Sequence, residues 1–149
     1  MRAVVQRVYN AQVSVDGIVT GRIEKGLLVY LGVAEGDTGA DAGYLADKVC
    51  SMRICDDTDG KMNLSVQDTG GSVLVVSQFT LLADARTGRR PSYSGAAKPV
   101  LAKKLYEDFI EDIRSHGLHC ESGVFQAQMA VQYTNDGPVT ILLDSRKLF

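Results

Sequence analysis

Seven consecutive positions, Leu27-Leu28-Val29-Tyr30-Leu31-Gly32-Val33, carry no charged side chain, and turn signals precede them. A run of that length is a strand covered on both faces, so the rest of the chain must supply a layer on each side of it. Upstream, Val13, Val15 and Ile18 alternate with Gln12, Ser14 and Asp16, and Asp16-Gly17 is a two-residue hairpin signal. Lys25-Gly26 marks the next turn. The spacing of Leu45, Val49 and Met52 predicts a first helix over Asp41–Arg53. A second is predicted from Pro99, suited to an early helical position, to Ser115, with Leu101, Leu105, Phe109 and Ile113 in one stripe and Gly117 as its stop. Ser72–Phe79 reads as another strand. Met129, Val131 and Tyr133 alternate with Ala130, Gln132 and Thr134, Asn135-Asp136-Gly137-Pro138 reads as a turn, and Val139–Leu143 as a last buried strand. The sum is an α/β domain over residues 1–149, with mixed, mostly antiparallel sheets and two main helices.

Composition narrows the function classes. A formal net charge of -2 argues against a protein that coats nucleic acid indiscriminately. It leaves room for a local patch at Arg86, Arg89 and Arg90, continued by Lys98, Lys103 and Lys104. That patch is either a solvated face or an RNA contact. The start has no signal-peptide pattern and no apolar run approaches the length of a membrane span, so a cytoplasmic location is expected. The three cysteines, Cys50, Cys55 and Cys120, lack CxxC spacing and fit buried structural thiols. Cys120 and His119, adjacent on a strand, point to opposite faces and make a poor nucleophile–base pair. Asp56, Asp57, Asp59 and Gly60 form a turn, without the full calcium-binding loop. With no HExxH, P-loop or GxGxxG, neither a metal nor a nucleotide cofactor is expected.

Catalytic candidates are therefore few. His116 and His119 lie near the exit of the second helix; spacing leaves a triad possible, but a surface or helix-terminal role is expected. Ser77-Gln78-Phe79-Thr80-Leu81 ends a buried strand just before a long Gly- and Arg-rich loop, Ala83–Lys98. It is either an ordinary strand terminus or a place where free backbone N–H groups, helped by the Ser77 and Thr80 hydroxyls and the Gln78 amide, polarise a carbonyl. Loops as long as Ala83–Lys98 are usually functional or disordered. The Asn135–Pro138 segment is either a plain turn or a rigid backbone reader of a ligand, if Gly137-Pro138 is cis.

Taken together, Ser77–Leu81, then Gly88-Arg89-Arg90-Pro91-Ser92-Tyr93-Ser94-Gly95-Ala96-Ala97, then Asn135-Asp136-Gly137-Pro138-Val139-Thr140 resemble the D-aminoacyl-tRNA deacylase family over essentially the whole chain. The start, Met1–Val8, and Leu143-Asp144-Ser145 resemble it too. The resemblance implies an obligate-type homodimer acting on aminoacylated tRNA, with active sites at the subunit interface. It implies that Gly137-Pro138 is a cis dipeptide inserted into the partner's pocket, where its carbonyls capture the substrate's α-amino group and its rigidity excludes an L side chain. It assigns Arg7 to holding that loop and Ser77–Leu81 to the pocket wall. On this reading the Phe79 amide, with Thr80, stabilises an oxyanion; the alternative makes the Thr80 hydroxyl a nucleophile. Met129 is expected to border the pocket or interface. The chain departs from the family at Gln126-Ala127-Gln128, where Gly-Ala is typical. Two rivals remain at this stage: an RNA-binding module without chemistry, and a general esterase using Ser77 or Thr80 with His119.

Overall fold

A computed structural model describes all residues, 1–149. The elements run β1 (Arg2–Val15), β2 (Ile18–Ile23), β3 (Gly26–Gly32), α1 (Gly39–Ser51), β4 (Cys55–Asp56), β5 (Met62–Leu64), β6 (Ser72–Ser77), a single 3-10 turn (Phe79–Leu82), α2 (Pro99–Ser115), β7 (Cys120–Ser122) and β8 (Ala130–Asp144). Six strands form one sheet in the order β2-β1-β3-β6-β7, with β8 on the other edge of β1. Pairings of β1 with β2, β3 and β8 are antiparallel, whereas β3–β6 and β6–β7 are parallel. The predicted fold class, mixed sheets with two main helices in one domain, is what the chain adopts.

The apolar run does form β3, and its two faces serve two cores. Leu27, Val29 and Leu31 join Val5, Val73 and Val75 under the helices, where Leu45, Val49, Phe109 and Ile113 complete the cluster. Leu28 lies on the opposite face with Leu74, Val76, Val8, Ala11, Val13 and Ile23. This second core exists because the sheet curls into a barrel-like shape that brings β2 against β7. A Cβ at Gly21 would come 2.7 Å from the Ser122 carbonyl oxygen, so only glycine permits that closure. Burying each large apolar side chain contributes roughly 1.5–3 kcal/mol.

Five sequence expectations need correction. The first helix starts at Gly39, two residues earlier than expected and ends at Ser51, because Thr38 and Asp41 form a reciprocal capping box. Strand β6 stops at Ser77, and Phe79 opens the 3-10 turn instead of ending the strand. The Asn135–Pro138 segment does not reverse the chain. It lies inside the single strand β8, which pairs with β1 from Arg2↔Asp144 to Ser14↔Ala130 and shifts register only between Gln6 and Asn10. That irregularity absorbs the extra residues as a bulge, so the strand passes through without turning. The end of β8 is not fully buried either: alternate residues face out, and Leu142 is 58% exposed. Ile18 likewise points outward at 71% exposure, beyond the hairpin tip.

All three cysteines are buried and free; His119 falls just before β7 and is exposed, beside buried Cys120. Burial pushes the Cys50 and Cys120 thiols up to about 12. His116 caps the C-terminus of α2. No helix is long and apolar enough to cross a membrane.

Candidate active site

A cavity of about 500 Å³ opens where the parallel pair β3–β6 ends. Its floor comes from Tyr30, Leu31, Val76 and Ser77 on those strands, and one wall from Gln78 and Phe79 at the start of the 3-10 turn. Strand carboxyl ends are where such sheets leave main-chain groups without ladder partners. Gln78 still donates its N–H to the Leu31 carbonyl at 2.8 Å, and the turn then closes through Leu81 N–H to Gln78 O at 3.4 Å. Between them, the N–H groups of Phe79 and Thr80 donate to no acceptor in the chain, as the first donors of a helical turn do not. Gly32 makes the arrangement possible. A Cβ there would fall 2.8 Å from the Gln78 carbonyl oxygen and 2.5 Å from Leu82 Cδ2, driving the turn off the end of β3.

The Gln78 side-chain amide donates to the Thr80 hydroxyl oxygen, which keeps its own proton to donate and a second lone pair. No histidine lines the cavity. Its ionisable lining consists of two tyrosines, Tyr30 and Tyr106. Burial, then the neighbouring Tyr133, pushes Tyr30 up to about 12. Burial holds Tyr106 well above the ordinary tyrosine range, and its hydroxyl donates to the Val75 carbonyl at 2.9 Å. Neither is a base near neutral pH. No group of three or more His, Cys, Asp or Glu side chains is placed to hold a metal ion. What the cavity offers is an apolar chamber with free main-chain donors at its wall, which suits polarising the carbonyl of an already reactive ester.

Sequence reasoning located Ser77, Gln78, Phe79 and Met129, all of which line the cavity; Thr80 follows in the same turn. It also marked Gln126 and Ala127, beside Met129, as a departure, and both line the cavity; it missed Ala102 and Tyr106 from α2 and Phe125 from the segment after β7. The i, i+4 spacing of Ala102 and Tyr106, beside the Leu101–Leu105 stripe, was the available signal. Gln126 adopts φ 63, a left-handed conformation uncommon for a side chain of its length.

Arg7, Gly137 and Pro138 lie elsewhere. Arg7 pairs with Leu27 at the start of β3, about four residues of strand, roughly 13 Å, from Leu31 at the cavity. The Gly137-Pro138 bond is cis. Both residues are exposed and neither lines the cavity of its own chain. Their base is firmly held: Arg7 Nε lies 3.0 Å from Asp136 Oδ2, its Nη1 donates to Asp56 Oδ1 at 3.0 Å and to the Ile54 carbonyl at 2.8 Å, and the Asn135 amide donates to the Arg7 and Val139 carbonyls. Burial works to lower the Arg7 pKa, but Asp56 and Asp136 outweigh it and raise it. The basic loop is ordered by Asp84 and Ser92, which exchange two 2.8 Å main-chain hydrogen bonds. Arg86 forks onto Asp84, with Nη2–Oδ2 at 2.6 Å, while Arg89 and Arg90 stand exposed.

The barrel-like sheet under two helices is an architecture shared with solved structures. The c-Myc DNA unwinding element binding protein superposes with a TM-score of 0.90 at 37% identity, covering 97% of this chain and 98% of that one. A probable eukaryotic D-amino acid tRNA deacylase superposes with a TM-score of 0.80 at 15% identity, over 95% of this chain and 97% of that one, a likeness of fold. In sequence, a D-aminoacyl-tRNA deacylase from Fervidobacterium nodosum is 60% identical and one from Koribacter versatilis 59% identical, each over 100% of both chains. A family model described as D-Tyr-tRNA(Tyr) deacylase matches residues 4–144. The class is thus a hydrolase of the deacylase fold. The chain belongs to the D-Tyr-tRNA(Tyr) deacylase family.

Proposed function

We propose that this protein hydrolyses the ester bond joining D-amino acids, and glycine mischarged on tRNA, to the 3′-terminal adenosine of tRNA. The observation that carries the reading is the unpartnered amide of Phe79 at the wall of an apolar cavity that contains no side-chain base, with the unpartnered amide of Thr80 next in the same turn. An aminoacyl ester is already activated, so donors aimed at the developing oxyanion and good positioning account for the rate without a nucleophile. The attacking water is oriented by the adjacent 2′-hydroxyl of the substrate. Incubation with D-tyrosyl-tRNA and L-tyrosyl-tRNA tests the reading directly: release of tyrosine from the D ester alone supports it, and equal release from both overturns the chiral part. A Thr80→Ala enzyme that keeps most of its single-turnover rate excludes a Thr80 nucleophile. Undiminished activity on a 2′-deoxy substrate excludes substrate assistance.

Chirality is assigned to Gly137-Pro138 of a second copy. Within one chain the dipeptide and Phe79 occupy opposite ends of β3, so a two-fold dimer with antiparallel facing sheets is the arrangement that brings one copy's dipeptide to the other's cavity. The partly exposed outer face of β1, β3 and β8 suits such packing: Leu142 stands beside a polar ladder in which Thr140 donates to Gln6 and Gln6 to Tyr133. Its main chain reads amino group against side chain, so selection works by exclusion and glycine passes. A hundredfold preference among D side chains of similar size would contradict it. The loop of Arg86, Arg89 and Arg90 is assigned to the tRNA, Arg86 serving it by bracing the loop through Asp84, and the working site is the cytoplasm, where charged tRNA is found.

A further inference from the structure

Two large aromatic rings stand exposed at the mouth of the cavity, Phe79 in its wall and Tyr93 beyond it. Phe79 is 58% and Tyr93 40% exposed, their ring centroids 5.1 Å apart at 68°. Tyr93 does not line the cavity; it sits on the loop beyond the mouth, in a turn closed by Ala96 N–H to Tyr93 O at 3.0 Å. That turn is fixed to the end of β3 by Glu35 N–H to Gly95 O and Ala97 N–H to Val33 O, both 2.9 Å. Residues 85–104 carry Arg86, Arg89, Arg90, Lys98, Lys103 and Lys104 and no carboxylate, in a chain whose net charge is -2. Arg86, Lys103 and Lys104 are neutralised by Asp84, Glu107 and Asp108. Arg89, Arg90 and Lys98 form no ion pair within the chain, and all three are exposed. An exposed ring held in place beside unpaired cations is the chemistry that binds unpaired nucleotides: bases stack on the ring and phosphates meet the charges.

We infer that Tyr93, with Arg89, Arg90 and Lys98, is a landing for the single-stranded nucleotides that precede the esterified terminal residue. Tyr93 stacks a base upstream of the terminal adenosine, and the three cations hold the phosphates on either side. Arg86 takes a different part, bracing the loop through Asp84. The inference rests on the deacylase reading for its direction, because the ester at Phe79 fixes one end of the strand.

The test uses the full-length protein and three substrates of increasing length: D-tyrosyl-adenosine, the D-tyrosyl ester of a CCA trinucleotide, and D-tyrosyl-tRNA. Tyr93→Ala is expected to raise KM about tenfold on the trinucleotide and on tRNA, leaving kcat and the adenosine ester unchanged. Tyr93→Phe should behave as wild type, since a phenyl ring stacks as well. Arg89→Ala with Arg90→Ala should flatten the salt dependence of kcat/KM on the two longer substrates. An equal loss on all three substrates means that Tyr93 only props Phe79 and overturns the proposal, as does unchanged KM on the trinucleotide. Binding of the uncharged CCA trinucleotide, read by titration calorimetry, separates the two hypotheses. A wild-type protein that binds it tenfold more tightly than Tyr93→Ala yet cleaves no ester refutes the deacylase reading and keeps the landing; equal binding refutes the landing.

Discussion

At the scale of single residues, the site is defined by backbone conformation more than by side-chain chemistry. Gln126 shows this at the cavity rim, where φ 63 places a long side chain in a region that costs roughly 1 kcal/mol or more for anything but glycine. Gln126→Gly should therefore raise stability by up to about 1 kcal/mol, after the greater freedom of glycine in the unfolded chain is subtracted, as a shift in urea midpoint would show. Arg7 is the opposite case, a side chain whose loss leaves charge stranded. Arg7→Ala leaves buried Asp136 uncompensated and should cost about 3–5 kcal/mol by chemical denaturation. The buried thiols make a third prediction: with Cys50 and Cys120 pushed up to about 12, native protein should resist a thiol reagent at pH 8 and react only on unfolding. Their inertness was legible from apolar neighbours alone. The φ of Gln126 was not, since nothing in the residue type of a glutamine signals a left-handed backbone.

At the scale of elements, periodicity located what burial enforces. The four-residue stripe of α2 gave its buried face, and Phe109→Ala should cost about 3–5 kcal/mol in thermal or urea unfolding because that side chain is fully buried among both helices and the sheet. Local turn chemistry misled at β8. Asn135-Asp136-Gly137-Pro138 has the composition of a chain reversal, yet the pairing with β1 on both sides of it carries the strand straight through. A sequence window cannot register a partner strand more than a hundred residues away. The same strand has an unpaired outer edge and an exposed Leu142, which a lone domain would be expected to guard. If β8 faces a second copy, Leu142→Glu should shift sedimentation from dimer to monomer, and the deacylase activity should fall with dimer content.

At the scale of the whole molecule, the cavity gathers residues from β3, β6, the 3-10 turn, α2 and the segment before β8, so no contiguous motif could have outlined it. Motif spacing gave the Phe79 wall; the Tyr106 and Phe125 wall depends on how α2 docks. Packing on the other face of β3 sets an alkaline limit. Tyr30, raised by burial and by Tyr133 from 10.0 to about 12, contributes stability that is fully present below pH 10 and is lost as pH climbs toward 12. Tyr30→Phe should therefore flatten the fall in melting temperature across that window, leaving the neutral range unaffected.

Gly32 carries a consequence for genetics. If the reacting groups are main-chain amides, replacing Phe79 or Thr80 deletes neither donor, and a saturation library would report those two codons as unexpectedly permissive. Inactivating alleles should instead accumulate at codon 32, which never meets the substrate but governs where the turn beginning at Phe79 rests.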